Sequence, residues 1–159
     1  MKLKNCKASL LGLMFAFIAF SAQAQLLDRK AMTLAEAKKA VAAGVEEAKK
    51  NGWPVVVVVV DDAGSVLSLD RMDNAQRPSV EIAIGKAKTA ALFRRPSGAL
   101  EEAIAKGRTA LLSAQGHVFM QGGVPIVING ETIGAVGVSG VQAFQDEQVA
   151  KAGAAVVGK

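Results

Sequence analysis

His117 is the only imidazole in the 159-residue chain, and Cys6, near its start, is the only thiol. A zinc site assembled from clustered imidazoles and thiolates is excluded by that count, and a carboxylate-only zinc site would be unusual. Past the first 24 residues the remaining soft or imidazole donors are His117, Met32, Met72 and Met120. His117 lies between Gly116 and a short apolar stretch ending at Met120. It reads either as a partly buried, hydrogen-bonded histidine or as an axial donor to haem iron. Haem asks for an apolar slot, one or two axial donors and cations for its propionates. Met72 and Met120 extend the donor set, and Arg71, Arg77, Lys86, Arg94 and Arg95 are the cations that could meet a propionate.

Other arrangements are weaker on spacing. Ser139 sits in G-V-S-G-V, where Val141 replaces the last glycine of a nucleophile elbow. Ser139, His117 and Asp146 supply the types of a triad, but Ser139 and Asp146 read equally as backbone caps near the start of the last helix. Gly134, Gly137 and Gly140 are spaced G-x-x-G-x-x-G inside a strand pattern, not G-x-G-x-x-G opening a helix, and no Walker A sequence occurs. Close backbone packing explains them better than phosphate cradling. Asp61-Asp62 and Asp70-x-x-Asp73 read as turn residues. A small organic acid is a second ligand class: Arg71 or Lys86 would hold its carboxylate, and Asp73 or Asp146 would be the acid/base. Amides at Gly122 and Gly123 would complete that anion site.

The elements that position these residues come after a leader. Lys2, Lys4 and Lys7 form a basic start, and Leu10 to Phe20 is an apolar run too short to span a bilayer comfortably. Ala22-Gln23-Ala24 supplies an A-x-A cleavage pattern, so residues 1–24 read as a cleaved signal peptide and 25–159 as one domain. Removal of three lysines leaves 16 basic against 14 acidic side chains, which withdraws the compositional case for nucleic acid. The expected location is periplasmic or secreted, with no membrane association after cleavage. The mature chain keeps no cysteine, so disulfides and thiol catalysis are excluded.

The stretch from Gly122 to Gly140 organises the rest. It predicts a β-hairpin, Pro125 to Ile128 and Thr132 to Val138, joined by Asn129-Gly130, a pair suited to a type I′ turn. Thr33 with Glu36 predicts a capped helix stopping at Asn51-Gly52. The six valines from Val55 to Val60 predict a strand covered on both faces and therefore central. Val66 to Met72 returns antiparallel. Pro78 opens an alanine-rich helix up to Phe93, and Ser97 a shorter one to about Lys106. His117 to Gln121 reads as a short strand, and Phe144 to Val156 as the last helix. The order is α-β-β-α-α-β-β-β-α, an α+β sandwich in which helices cover an antiparallel sheet. The ligand cleft is expected beside the hairpin, among Gly122, Gly123, Pro125, Ser139, Gly140 and Asp146.

Several blocks resemble the GlcG/HbpS family: V-V-D-D-A-G-S-V-L-S-L-D-R-M-D at 59–73, K-A-K-T-A at 86–90, G-G-V-P-I and I-G-A-V-G-V-S-G within 122–140, and D-E-Q-V-A-K-A-G at 146–153. The resemblance spans nearly the whole of 25–159. It implies a profilin-like α/β/α sandwich with a five-stranded antiparallel sheet, and homo-oligomers, octamers in some members. Relatives include a secreted haem-binding protein that protects against haem and peroxide stress, and a haem-binding domain fused to a corrinoid adenosyltransferase. Others are encoded beside glycolate-utilisation genes. The family has no fixed axial-ligand motif. This chain has Gly52-Trp53-Pro54 where some relatives place a histidine, and it has no E-x-x-E pair of the kind that binds iron in the secreted type.

The leading expectation is an exported, oligomeric binding protein for haem or a related tetrapyrrole, acting in haem handling or oxidative-stress protection. His117, Met120 and Met72 are its candidate donors, and Arg71 and Lys86 its candidate propionate partners. An enzyme or binder for a hydroxy or keto acid is the alternative, and a purely structural oligomer the third reading.

Overall fold

The computed structural model describes residues 29–159; the leader and its cleavage pattern lie outside them. Helix α1 (Leu34–Asn51) starts where expected, with Thr33 Oγ1 accepting from the Glu36 amide at 3.2 Å. The reciprocal half of the capping box is absent, because the Glu36 carboxylate accepts from the Gly158 amide at the far end of the chain instead. The helix ends on Gly52 in the left-handed region (φ 67°), a conformation that suits a residue without Cβ.

The valine run becomes β1 (Val56–Asp61), flanked on one side by β2 (Val66–Arg71) and on the other by β4 (Glu131–Ser139); β3 (Gly123–Ile128) pairs with β4. The sheet is antiparallel throughout, in the order β2-β1-β4-β3. Alternation along β1 serves two cores. Val55, Val57 and Val59 face α1 and α4 (Ala143–Ala154), with Val41, Val136, Val138 and Val149 around them. Val56, Val58 and Val60 face Ala83, Ala87, Ala90 and Ala91 of α2 (Ser79–Phe93). Both faces of the strand are thus sealed, as an unbroken run of valines requires.

Asn129 (φ 53°) and Gly130 (φ 82°) turn the β3–β4 hairpin with the two positive φ angles of a type I′ turn. Two glycines in it let α2 lie close on the sheet. A Cβ on Gly137 would meet the Ala83 carbonyl oxygen at 2.2 Å, and one on Gly123 the Lys86 carbonyl oxygen at the same distance. Small residues on α2 complete that approach, and the G-x-x-G spacing is a packing pattern.

The sheet has four strands, not five. His117 to Gln121 is irregular, and the preceding residues form α3 (Ser97–Ala105) and a 3-10 turn at Thr109–Ser113. The reason lies in where the segment's backbone groups find partners. The Val118 amide donates to Thr89 Oγ1 (2.9 Å), the Met120 carbonyl accepts from Ser97 Oγ (2.6 Å), and the Gln121 amide donates to Glu101 Oε2 (2.7 Å). Helix side chains take the place of a neighbouring strand, so no ladder is needed.

Candidate functional site

Most of the candidate residues fall into three separate places, with Arg94 apart from them in a depression with Arg29, Lys30 and Asp62. The first is an apolar cleft of about 540 Å³ between the 117–120 segment and the end of α3, lined by Glu101, Ile104, Ala105, Leu112, His117, Val118, Phe119 and Met120. Its size lies within the usual range for small-molecule sites. His117 stands in it with Phe93 edge-on at 5.0 Å between ring centroids and Phe119 at 6.1 Å. Met120 is 45% exposed and Leu112 62%, an apolar rim of the kind that is normally covered by a ligand or partner.

The surroundings of the imidazole favour its neutral form. Burial disfavours its charged form, the nearby Lys88 ammonium adds repulsion, and together they lower its pKa from the ordinary 6.5. Neutral imidazole is the form that binds a metal. His117 Nδ1 is buried and has no hydrogen-bond partner among the described residues. A ligating imidazole ordinarily donates its second N–H to an oxygen that fixes the ring. Here the Phe93 and Phe119 rings pack against the imidazole instead.

The second place is the interior. Lys86, 1% exposed, places Nζ 2.8 Å from Asp146 Oδ2 and 3.0 Å from the Val138 carbonyl oxygen. Asp146, 2% exposed, accepts on Oδ1 from the Val141 amide at 3.2 Å. Burial pushes its carboxyl above the usual range, opposed by the Lys86 ammonium and the amides. The pair is packed under Gly122: a Cβ there would come within 2.9 Å of Lys86 Nζ and of Asp146 Cβ. Lys86 is therefore no propionate partner, and Asp146 no acid/base open to a substrate. The Gly123 amide donates to Ser97 Oγ at 2.8 Å, which closes the anion site expected at Gly122 and Gly123.

Ser139 is 5% exposed at the end of β4, opposite Val56. Asp146 is bonded to Lys86, and His117 Nδ1 has no hydrogen-bond partner among the described residues, so the triad is not assembled. Pro125 lies on edge strand β3, where its missing N–H costs no ladder bond. Gly140 packs on Pro54 and Val55. None of the six residues expected to surround the ligand lines the apolar cleft, which lies one segment upstream of the hairpin.

The third place is a polar depression at the end of β2. Arg71, Met72, Asp73 and Asn74 line it, and Arg71 Nη2 donates to the Ala75 carbonyl at 3.1 Å. Met72 packs against the core on the α1/α4 side of the sheet, whereas His117 rests against α2. One chain therefore cannot bring Met72 and His117 to a single iron. An anion held by Arg71 would also face the Asp70 and Asp73 carboxylates.

Comparison with known proteins agrees with this architecture. A family model described as "Haem degrading protein HbpS-like" matches residues 32–155. The chain belongs to the HbpS-like family. Protein GlcG of Escherichia coli K12 is 50% identical over 99 residues, covering 62% of this chain and 74% of GlcG. The crystal structure of a double mutant of Streptomyces reticuli HbpS superposes with a TM-score of 0.79 at 34% identity, over 99% of this chain and all of the other. A crystal structure of a PduOC–haem complex superposes with a TM-score of 0.73 at 28% identity, over 81% of this chain and 96% of PduOC.

Thr89, Ser97 and Glu101 were not singled out by sequence as parts of the site, although they hold the segment that carries it. The available signal was three polar side chains on α2 and α3, two of them buried. Nothing local in the sequence shows that their partners lie 20 to 29 residues away.

Proposed function

We propose that this chain binds haem or a related tetrapyrrole in the cleft between the 117–120 segment and α3. The single observation that carries the reading is the His117 ring standing beside Met120 in an apolar cleft of about 540 Å³. Membership of the HbpS-like family and the likeness to a haem complex of PduOC support the choice of ligand. His117 would supply a donor to the iron in this proposal, with Met120 beside it. Ile104, Ala105, Leu112 and Phe119 would cover the apolar ring, and Lys88 is a cation whose charge reaches the imidazole. Bound haem supplies a redox-active iron that reacts with small ligands; the protein supplies one donor and a dry wall.

The proposal extends to an exported homo-oligomer that handles haem under oxidative stress. The basic start, apolar run and A-x-A pattern support export to the periplasm or beyond. Exposed Leu112 and Met120 at the cleft rim, and Phe144 at the start of α4, support self-association. N-terminal sequencing of exported protein tests the first point and light scattering the second.

The decisive experiment is a hemin titration of the mature protein beside His117→Ala, followed by absorbance. Saturable binding lost in the variant establishes His117 ligation. Saturable binding retained in the variant keeps haem and moves the donor, to Met120 first. No saturable uptake ends the haem reading.

A further inference from the structure

Resting on that reading of the cleft, we infer that Thr89 and Ser97 are positioning residues: their hydroxyls clamp the 117–123 segment onto α2 and α3 and so set where His117 and Met120 stand in the cleft.

The clamp is specific in its bonding. Thr89 Oγ1 donates to the Gly85 carbonyl at 2.7 Å, which leaves a lone pair to accept the Val118 amide. Ser97 Oγ donates to the Met120 carbonyl at 2.6 Å and accepts the Gly123 amide at 2.8 Å. One hydroxyl thus holds the residue after His117, and the other holds Met120 itself. Both side chains are fully buried, so water does not compete for them.

An independent steric observation points the same way. A Cβ on Gly85 would meet Val118 Cγ2 at 2.3 Å, and one on Gly98 would meet Gln121 Cγ at 3.0 Å. Two glycines on the two helices make room for the two side chains that flank the clamp. Hydroxyls draw the segment in, and absent Cβ atoms let it arrive. A strand pairing would have spaced His117 and Met120 on opposite faces, since they differ by three residues. The irregular path lets both line one wall.

The test uses the single histidine of the mature chain as its own reporter. Diethylpyrocarbonate modifies imidazole, and the ultraviolet absorbance of the carbethoxyimidazole product reads His117 alone in this protein. Thr89→Val keeps the shape and removes the hydroxyl, whereas Thr89→Ser retains the hydroxyl. The expected result for Thr89→Val is faster modification of His117 and faster exchange of the Val118 amide, with hemin affinity lower by about fivefold and a shifted Soret band, the scale of one lost hydrogen bond. Thr89→Ser restores all four. Ser97→Ala moves the exchange of Gly123 and the Soret band in the same direction, and serves if Thr89→Val does not fold.

Wild-type modification and Val118 exchange in Thr89→Val overturn the clamp. Faster exchange with unchanged hemin affinity and Soret position overturns its positioning role. A wild-type protein that takes up no hemin overturns the ligand instead; the modification rate, measured without hemin, still decides whether the hydroxyls place His117.

Discussion

Two regions of this molecule use chemically able side chains in opposite ways. At Lys86–Asp146 an ammonium and a carboxylate are fully buried, each with a further backbone partner, and the site is filled by Gly122. At His117–Met120 the walls are apolar, one ring nitrogen has no partner among the described residues, and Met120 and Leu112 are exposed. The interior pair looks more like catalytic machinery when written as residue types, yet its charges are paired with each other and both side chains are buried. The cleft has few polar groups, and its unused capacity is what qualifies it. Satisfied chemistry holds a fold together; unsatisfied chemistry beside a cavity is where a ligand can act.

The largest expected effect breaks the interior side of that contrast. Lys86→Ala leaves the Asp146 carboxylate buried without its cation, which should cost about 3–5 kcal/mol of folding stability. Urea denaturation measures it. The double variant Lys86→Met with Asp146→Leu should recover part of the loss, because it removes both charges. Recovery stays incomplete, since the Val138 carbonyl and Val141 amide each lose a partner. A small effect for Lys86→Ala would show that the pair is hydrated and that the two regions are less different than the structure makes them.

The cleft should respond in binding instead of stability. His117→Ala is expected to weaken hemin binding by at least about tenfold, equal to about 1.4 kcal/mol, while the urea midpoint moves little. Lys86→Ala refolded at low temperature should keep its Soret band. Loss of hemin binding in both variants at equal stability would merge the two regions into one site. A milder change sharpens the donor question: Met120→Leu keeps bulk and removes sulfur. It should leave hemin affinity within about threefold if Met120 serves as wall, on the scale of a volume-conserving apolar swap.

The smallest effect is one of pH. The folded-state pKa of His117 lies below its ordinary 6.5, so as pH falls the unfolded chain takes up this proton first. The stability due to neutral His117 is complete above about pH 6.5 and is lost as pH drops through the folded value. Wild-type protein should therefore lose stability across that window relative to His117→Gln, whose curve lacks this component. Parallel curves for the two proteins would show an imidazole as well hydrated as in the unfolded chain.

Local features were legible in the sequence because they depend on neighbours a few residues away. Asn129-Gly130 makes the turn that its positive φ angles allow, Gly52 ends α1, and the valine run is central because neither of its faces tolerates water. The five-strand expectation failed at 117–121, where apolar residues of suitable length look like a strand. Their amides and carbonyls are instead taken by Thr89, Ser97 and Glu101, and no local pattern encodes those pairings. The surroundings of the hairpin glycines were hidden in the same manner. Glycines at 122 and 123 signalled close approach, and close approach there is by Lys86 and Ser97 of the chain itself.

Sequence alone determined the two-sided sheet, the helices that cover it, the family blocks and His117 as the sole imidazole. Composition and short-range spacing are enough for these, since burial on two faces and tight turns are local demands. Only the tertiary structure decided which chemically able residues are consumed and which are free. It buried Lys86 with Asp146, left Arg71 and Met72 at the end of β2, and set His117 beside Met120 in a cleft. That choice depends on desolvation and on partners brought together from 20 or more residues away, quantities that exist only once the chain has folded.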